Sequence, residues 1–249
     1  MFFSHYQKDF ADLPGFVMLE SLAVWDFFLG FQSETWKPGS LLEIGVYYGK
    51  SAMMLALHRK QGETIFLIDP ADCVQSVREL LVKHNMSDYS IIQARSSENE
   101  SWGLASKYAH TLRWIHVDGD HKAESVWNDL SLANILLSDT GIISVDDFFN
   151  PRYPQLTYVT CQFLEQHRAV LQLFFCGYYK AYLARPNAIS IYLRKIREDL
   201  ATAMTSYGFS DFTIYKTDYP NVINAFSIMD RWEDYVYHGL DEDPKKILY

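Results

Sequence analysis

The sequence holds 249 residues, 49% hydrophobic and 21% charged, with 22 Lys and Arg against 31 Asp and Glu for a net charge of −9. This balance supports a buried core and excludes a disordered or collagen-like chain. The acidic surface disfavours nucleic acid as a partner, and no stretch reaches the roughly 18–20 apolar residues of a membrane span.

The first residues, MFFSHYQKDFADLPG, meet charge and proline too early for a secretory core, so a cytoplasmic protein is expected. Cys73, Cys161 and Cys176 are an odd set without CxxC spacing, which gives neither a disulfide framework nor a zinc site. Residues 1–36, rich in Phe, Trp and Leu, predict one or two helices whose aromatics serve the core or a homo-oligomer contact.

An α/β core over 37–249 follows, with no linker to divide the single domain expected over 1–249. Strands are predicted at 41–45, 64–68, 89–93, 113–117 and 141–145, with helices at 51–58, about 72–84 and about 122–137 between them. Strands alternating with helices imply βαβ units and a mostly parallel sheet. In the last third, 171–175 and 179–184 read as a strand pair or one bent strand. A helical insertion follows near 188–206, then closing strands at 212–216 and 225–229.

The turn from the first strand into its helix, Leu42-Glu43-Ile44-Gly45-Val46-Tyr47-Tyr48-Gly49-Lys50-Ser51, is a place where amides and a helix N-terminus meet a ligand. A dinucleotide fold wants glycine where Tyr47 stands. A P-loop wants glycine at Ile44, one residue before Gly45, although Gly49-Lys50-Ser51 supplies its tail. A P-loop NTPase therefore stays as an alternative. S-adenosylmethionine (SAM) carries no phosphate and needs only the two glycines and a nearby acid. Glu43, Gly45, Tyr47, Gly49 and Ser51 are its candidate contacts, with Asp69, at the end of the second strand, placed to accept ribose hydroxyls.

Asp118 ends the fourth strand in Val117-Asp118-Gly119-Asp120-His121, and Asp146-Asp147 end the fifth. Carboxyl ends of neighbouring parallel strands share one crevice, so the three acids can converge there. Three like charges together call for a cation, and an all-carboxylate set favours Mg²⁺, with Mn²⁺ or Ca²⁺ as rivals. His121 stands three residues after Asp118 and can take a proton. The other histidines, His5, His58, His84, His110, His116, His167 and His238, read as surface or core residues. Asn150-Pro151-Arg152-Tyr153 superficially matches the [DN]PP[YF] motif of amino-methyltransferases, but follows the fifth strand and lacks the second proline.

The motifs LEIGVYYGKS, VDGDH and VDD, over about 13–148, together resemble the metal-dependent O-methyltransferases of class I, in the branch with the macrolide-sugar and cephalosporin-pathway enzymes. The resemblance implies a Rossmann-like, mostly parallel seven-stranded sheet with helices on both faces. It implies Mg²⁺ on Asp118, Asp146 and Asp147, with Asp118 also beside SAM, and His121 as the general base. Ser96 or Ser97 would lie on the adenine side, although Ala94-Arg95 replaces the family's Gly-Asp before it. The acceptor would be a small molecule with neighbouring oxygens, such as a sugar, phenol or polyketide of natural-product biosynthesis. A SAM-binding or oligomeric scaffold without catalysis is the non-enzymatic alternative.

Overall fold

Leu41 and Leu42 are adjacent in the first strand yet belong to different hydrophobic cores. Successive strand residues point to opposite faces, so a strand buried on both sides reads as an unbroken apolar run. The computed structural model describes residues 2–36, 38–217 and 223–231. His238 and the end of the core expected to run to 249 lie outside them.

The elements run α1 (Phe3–Asp9), α2 (Leu19–Thr35), β1 (Leu41–Ile44), α3 (Lys50–His58), β2 (Ile65–Ile68), α4 (Val74–Lys83) and β3 (Tyr89–Ile92). Then come α5 (Asn99–Tyr108), β4 (Leu112–Val117), α6 (Ala123–Leu136), β5 (Leu137–Val145) and α7 (Pro154–His167). β6 (Gln172–Gly177), β7 (Lys180–Ala184), α8 (Pro186–Lys195), a π-helical turn at Ile196–Leu200, α9 (Ala201–Ser206), β8 (Phe212–Lys216) and β9 (Phe226–Asp230) complete the described chain. α5 and α7 were not expected from the sequence. Each buries a short stripe, Ser101 and Leu104 in the first and Leu156, Val159, Thr160 and Phe163 in the second, too little for a clear periodic signal.

Among the described residues the sheet has nine strands, not seven, in the order β3-β2-β1-β4-β5-β7-β6-β9-β8. The first five pair in parallel, and the β6–β7 hairpin sets β7 antiparallel to β5. The β8–β9 hairpin then extends the sheet, with β9 parallel to β6. The two extra strands come from the closing segments, whose pairing extends the edge rather than standing apart. Helices α1–α4, α8 and α9 cover one face and α5–α7 the other. The aromatics of the first 36 residues belong to the core: Phe3, Tyr6, Trp25 and Phe28 are fully buried.

A buried ion pair and a buried histidine–carboxylate contact pin the α2 face. Arg113 binds Glu63 through Nε at 2.7 Å, and Asp26 meets His58 Nε2 at 2.7 Å. Arg113 also donates to Gln32 Oε1 and to the His58 carbonyl, and Asp26 accepts from the Phe2 amide, since buried polar groups need partners.

Candidate active site

Strand register assembles the site in two rows. Glu43 faces His116 across β1–β4, His116 faces Ser144 across β4–β5, and Ser144 faces Tyr182 across β5–β7. Two residues further towards the carboxyl edge, on the same face, lie Gly45, Asp118, Asp146 and Lys180. The approach at the start of that row is close: a Cβ on Gly45, at φ +86°, would stand 1.8 Å from the Asp118 carbonyl oxygen. Only glycine fits there.

The inner row is sealed. Glu43 is fully buried and meets His116 Nδ1 at 2.8 Å, while the edge of Trp25 from α2 packs on the His116 ring. Burial and the Lys180 ammonium hold the His116 pKa down, so Nδ1–H donates to Glu43 and Nε2 accepts from Lys180 Nζ at 3.2 Å. This corrects the expected role of Glu43: it orients His116 inside the protein and is closed off from a ligand.

The turn after β1 is clamped rather than open. Asp69 Oδ2 accepts from the Val46 and Tyr47 amides, both at 2.8 Å, and Oδ1 accepts from Ala71 at 2.8 Å. Gly49, at φ +84°, caps α3, and Ser51 is buried in that helix's first turn. A phosphate would have to displace a carboxylate from these amides, and Lys50 Nζ points instead to the Gly15 carbonyl at 3.4 Å. The P-loop alternative loses both its cradle and its lysine.

The carboxylates do not form the expected triad. Among the described residues, ligand atoms of His116, Asp118 and Asp146 lie within 4.8 Å of one another, and Asp147 does not join them. Consecutive strand-end residues diverge, and Asp147 adopts φ +55°. Nor does the cluster fit Mg²⁺. Lys180 Nζ, on a side chain only 2% exposed, lies 2.7 Å from Asp146 Oδ1 as well as 3.2 Å from His116. Mg²⁺ needs oxygen ligands at about 2.0–2.1 Å in octahedral array, and an ammonium already stands among these donors. Burial and neighbouring Asp146 push the Asp118 carboxyl well above the usual range, whereas Lys180 offsets the burial of Asp146 and holds its carboxyl low.

Asp147 serves a different partner. Its Oδ2 lies 3.2 Å from His121 Nε2, and its Oδ1 accepts from Asn150 Nδ2 at 2.6 Å. Tyr153 packs on the His121 ring at 4.0 Å, and Gln155 Nε2 donates to the His121 carbonyl at 2.9 Å. His121 itself is 36% exposed. The Asn150–Tyr153 segment thus frames a histidine–carboxylate pair.

Beside it a cleft of about 390 Å³ runs between Ile44, Ile68 and Pro70 on one side and Ser96, Ser97, Ser125 and Asp129 on the other. Ser96 and Asp129 are buried, and Ser96 hydrogen-bonds Asp129. Burial pushes Asp129 up to about 7. Ile44, Ile68, Pro70 and Ala94 give the cleft an apolar patch among mostly polar and charged side chains, Arg95, Lys122, Glu124 and Asn128 among them, a mixture that suits a nucleoside.

Residues 42–148 match the family model described as a methyltransferase domain. The match spans 107 of the 249 residues, and over that part the chain is similar to methyltransferase domains. The O-methyltransferase NovP shares the fold at a TM-score of 0.57 and 16% identity, over 68% of this chain and 81% of its own. CalS11, a TDP-rhamnose 3′-O-methyltransferase of calicheamicin biosynthesis, gives 0.54 and 19% over 73% and 92%. SAH-bound PaMTH1 of Podospora anserina gives 0.51 and 18% over 74% and 85%. At these identities the likeness is one of fold. No curated protein matches the sequence.

The fold brings Gly45, Asp69, Asp118, Asp146, Asp147, His121, Ser96 and Ser97 to the carboxyl edge of its sheet. It leaves Glu43 inside, and exposes Tyr47 at φ +49° against Tyr48. Lys180 and Asp129 were missed. The only sequence signal for Lys180 is a charge opening an otherwise apolar strand, KAYLA. For Asp129 it is an acid amid the apolar residues of α6.

Proposed function

We propose that this domain transfers the SAM methyl group to an oxygen of a small-molecule acceptor, with His121 as general base. The observation that carries the reading is the His121–Asp147 pair at the crevice mouth. A base held by a carboxylate through one ring nitrogen has its tautomer fixed and its other nitrogen free to work. With Nε2 held 3.2 Å from the Asp147 carboxylate, Nδ1 is left to take the acceptor's proton.

SAM, when bound, supplies a methyl group on a sulfonium. Its adenosine would lie in the cleft against Ile44 and Ile68, with Ser96 and Ser97 on the adenine side and Asp69 retaining lone pairs for ribose hydroxyls. The acceptor's proton passes to His121 as its oxygen forms the bond to carbon and the carbon–sulfur bond breaks. The imidazolium then returns the proton to water, which its exposure permits. Alignment of oxygen, carbon and sulfur supplies much of the acceleration.

Exposed rings rim the crevice: Tyr47, Phe149 and Tyr179 are 53%, 64% and 46% exposed on three turns at the carboxyl edge, all at positive φ. Bulky residues held in that conformation cluster at binding sites. They favour a ring-bearing acceptor, in keeping with the sugar substrate named for CalS11. The Mg²⁺ expected from the resemblance is not carried into this reading, because Lys180 stands among its ligands.

The test is calorimetry with SAM, followed by transfer from labelled SAM to a panel of sugars, phenols and polyketides. Saturable SAM binding and methyl ethers are expected. No SAM heat, or methylation on nitrogen or carbon, overturns the reading.

A further inference from the structure

The outer row of the site ends in a cation. We propose that Lys180 is the resident counter-ion of the strand-end carboxylates, standing where the resembling enzymes hold a divalent metal, so that methyl transfer here needs no metal ion. The inference rests on the methyl-transfer reading, but its Mn²⁺ test does not.

Register delivers the lysine. Val145 pairs with Ala181 across β5–β7, so Asp146 and Lys180 are the next pair along, on the same face as Asp118. The β6–β7 turn fixes this alignment through Tyr178 and Tyr179, both at positive φ. Ser21 Oγ donates to the Tyr178 carbonyl and the Phe148 amide to that of Tyr179, each at 2.9 Å. The ammonium is then enclosed by Asp146 at 2.7 Å, His116 at 3.2 Å and the Trp25 ring at 5.4 Å. The lysine side chain is only 2% exposed.

A divalent ion ligated by both Asp146 and His116 would have to share their lone pairs with an ammonium already bonded to both. Like charges at that distance repel strongly where water is scarce. The lysine also gives Asp146 a second task. Its Oδ1 receives the Asp147 amide at 2.9 Å as well as Lys180. Lys180 thereby fixes the loop from which Asp147 holds His121, and acts as a positioning residue.

Mn²⁺ is the probe, read by electron paramagnetic resonance on the full chain, with SAM binding measured separately by calorimetry. The wild type is expected to take up no stoichiometric Mn²⁺, and chelator is expected to leave its SAM affinity and its methyl transfer unchanged. Lys180→Ala, with the trio of His116, Asp118 and Asp146 opened, is expected to gain one Mn²⁺ per chain and to lose it again on adding Asp146→Asn. One Mn²⁺ on the wild type that Asp146→Asn abolishes overturns the proposal, as does a folded Lys180→Ala that binds none. The wild-type arm stands without any lysine variant folding. Absence of SAM binding would sink the methyl-transfer reading and leave the Mn²⁺ result intact.

Discussion

His121 and Asp147 come from loops after different strands, β4 and β5, and meet at 3.2 Å between Nε2 and Oδ2. The contact exists because Asp147 turns into the left-handed region, away from the row that Asp146 continues. Asn150 and Tyr153 hold the two partners from the far side. A base fixed in this way contributes about 10²–10⁴-fold in rate. His121→Ala is expected to lose that factor in kcat, with SAM affinity retained and the acid limb of the pH–rate profile gone. Asp147→Asn should lose less, since it removes the charge beside Nε2 and keeps a side chain of the same shape. The profile of both variants, on an acceptor found with labelled SAM, decides. Full activity in His121→Ala would pass the role to Asp120 or to no base at all.

Gly45→Ala tests the close approach of β1 and β4. The added Cβ would meet the Asp118 carbonyl at 1.8 Å in a backbone conformation that L-residues avoid. Overpacking and the left-handed strain together predict a loss of at least about 3 kcal/mol in urea unfolding. Retained stability would mean that the two strand exits stand further apart than described.

These two positions show what could be read from the chain and what could not. Gly45, Asp69, Asp118 and His121 each follow a short apolar run, and strand ends in a parallel sheet converge by topology, so their gathering is legible without coordinates. Register across the β6–β7 hairpin is not. A tight hairpin usually declares itself by Asn-Gly or Asp-Gly, whereas this turn uses Tyr178-Tyr179. Nothing in the sequence therefore announces that Lys180 lies opposite Asp146, and three acids without a visible partner call for a metal. The divergence of Asp146 from Asp147 was hidden for a similar reason, since it depends on one φ angle. Glu43 shows the opposite failure. A motif position suggests ligand contact, but period two on β1 turns its side chain to the α2 face, where His116 takes it.

Asp69→Ala separates the clamp on the turn from the ribose contact. It removes an acceptor from three backbone amides, and hydrogen bonds to a charged group are worth about 1.5–3 kcal/mol. Both stability and SAM affinity are expected to fall, the first in urea unfolding without ligand, the second by calorimetry. Loss of affinity alone would show a ribose contact without a clamp. An unchanged midpoint and unchanged affinity would remove Asp69 from the site.

Asp129 gives the fold a pH dependence whose sign can be worked out. Its carboxyl titrates near 3.9 in an unfolded chain and at about 7 in the fold, where burial opposes the charge. The folded state thus keeps a proton that the unfolded state has released. The resulting stabilisation is complete below about pH 4, declines as pH rises, and is gone above about pH 7. Asp129→Asn keeps the shape and cannot titrate. The depressed histidines His58 and His116 change protonation in both proteins alike and cancel in the difference. Wild-type stability minus that of Asp129→Asn should therefore fall by roughly 3 kcal/mol between about pH 5 and about pH 8, with most of the change complete by neutrality. Urea unfolding of both proteins across that range measures it. A difference that stays flat would mean Asp129 is ionised in the fold throughout, and one that rises with pH would mean a cation, not the Ser96 hydroxyl, is its partner.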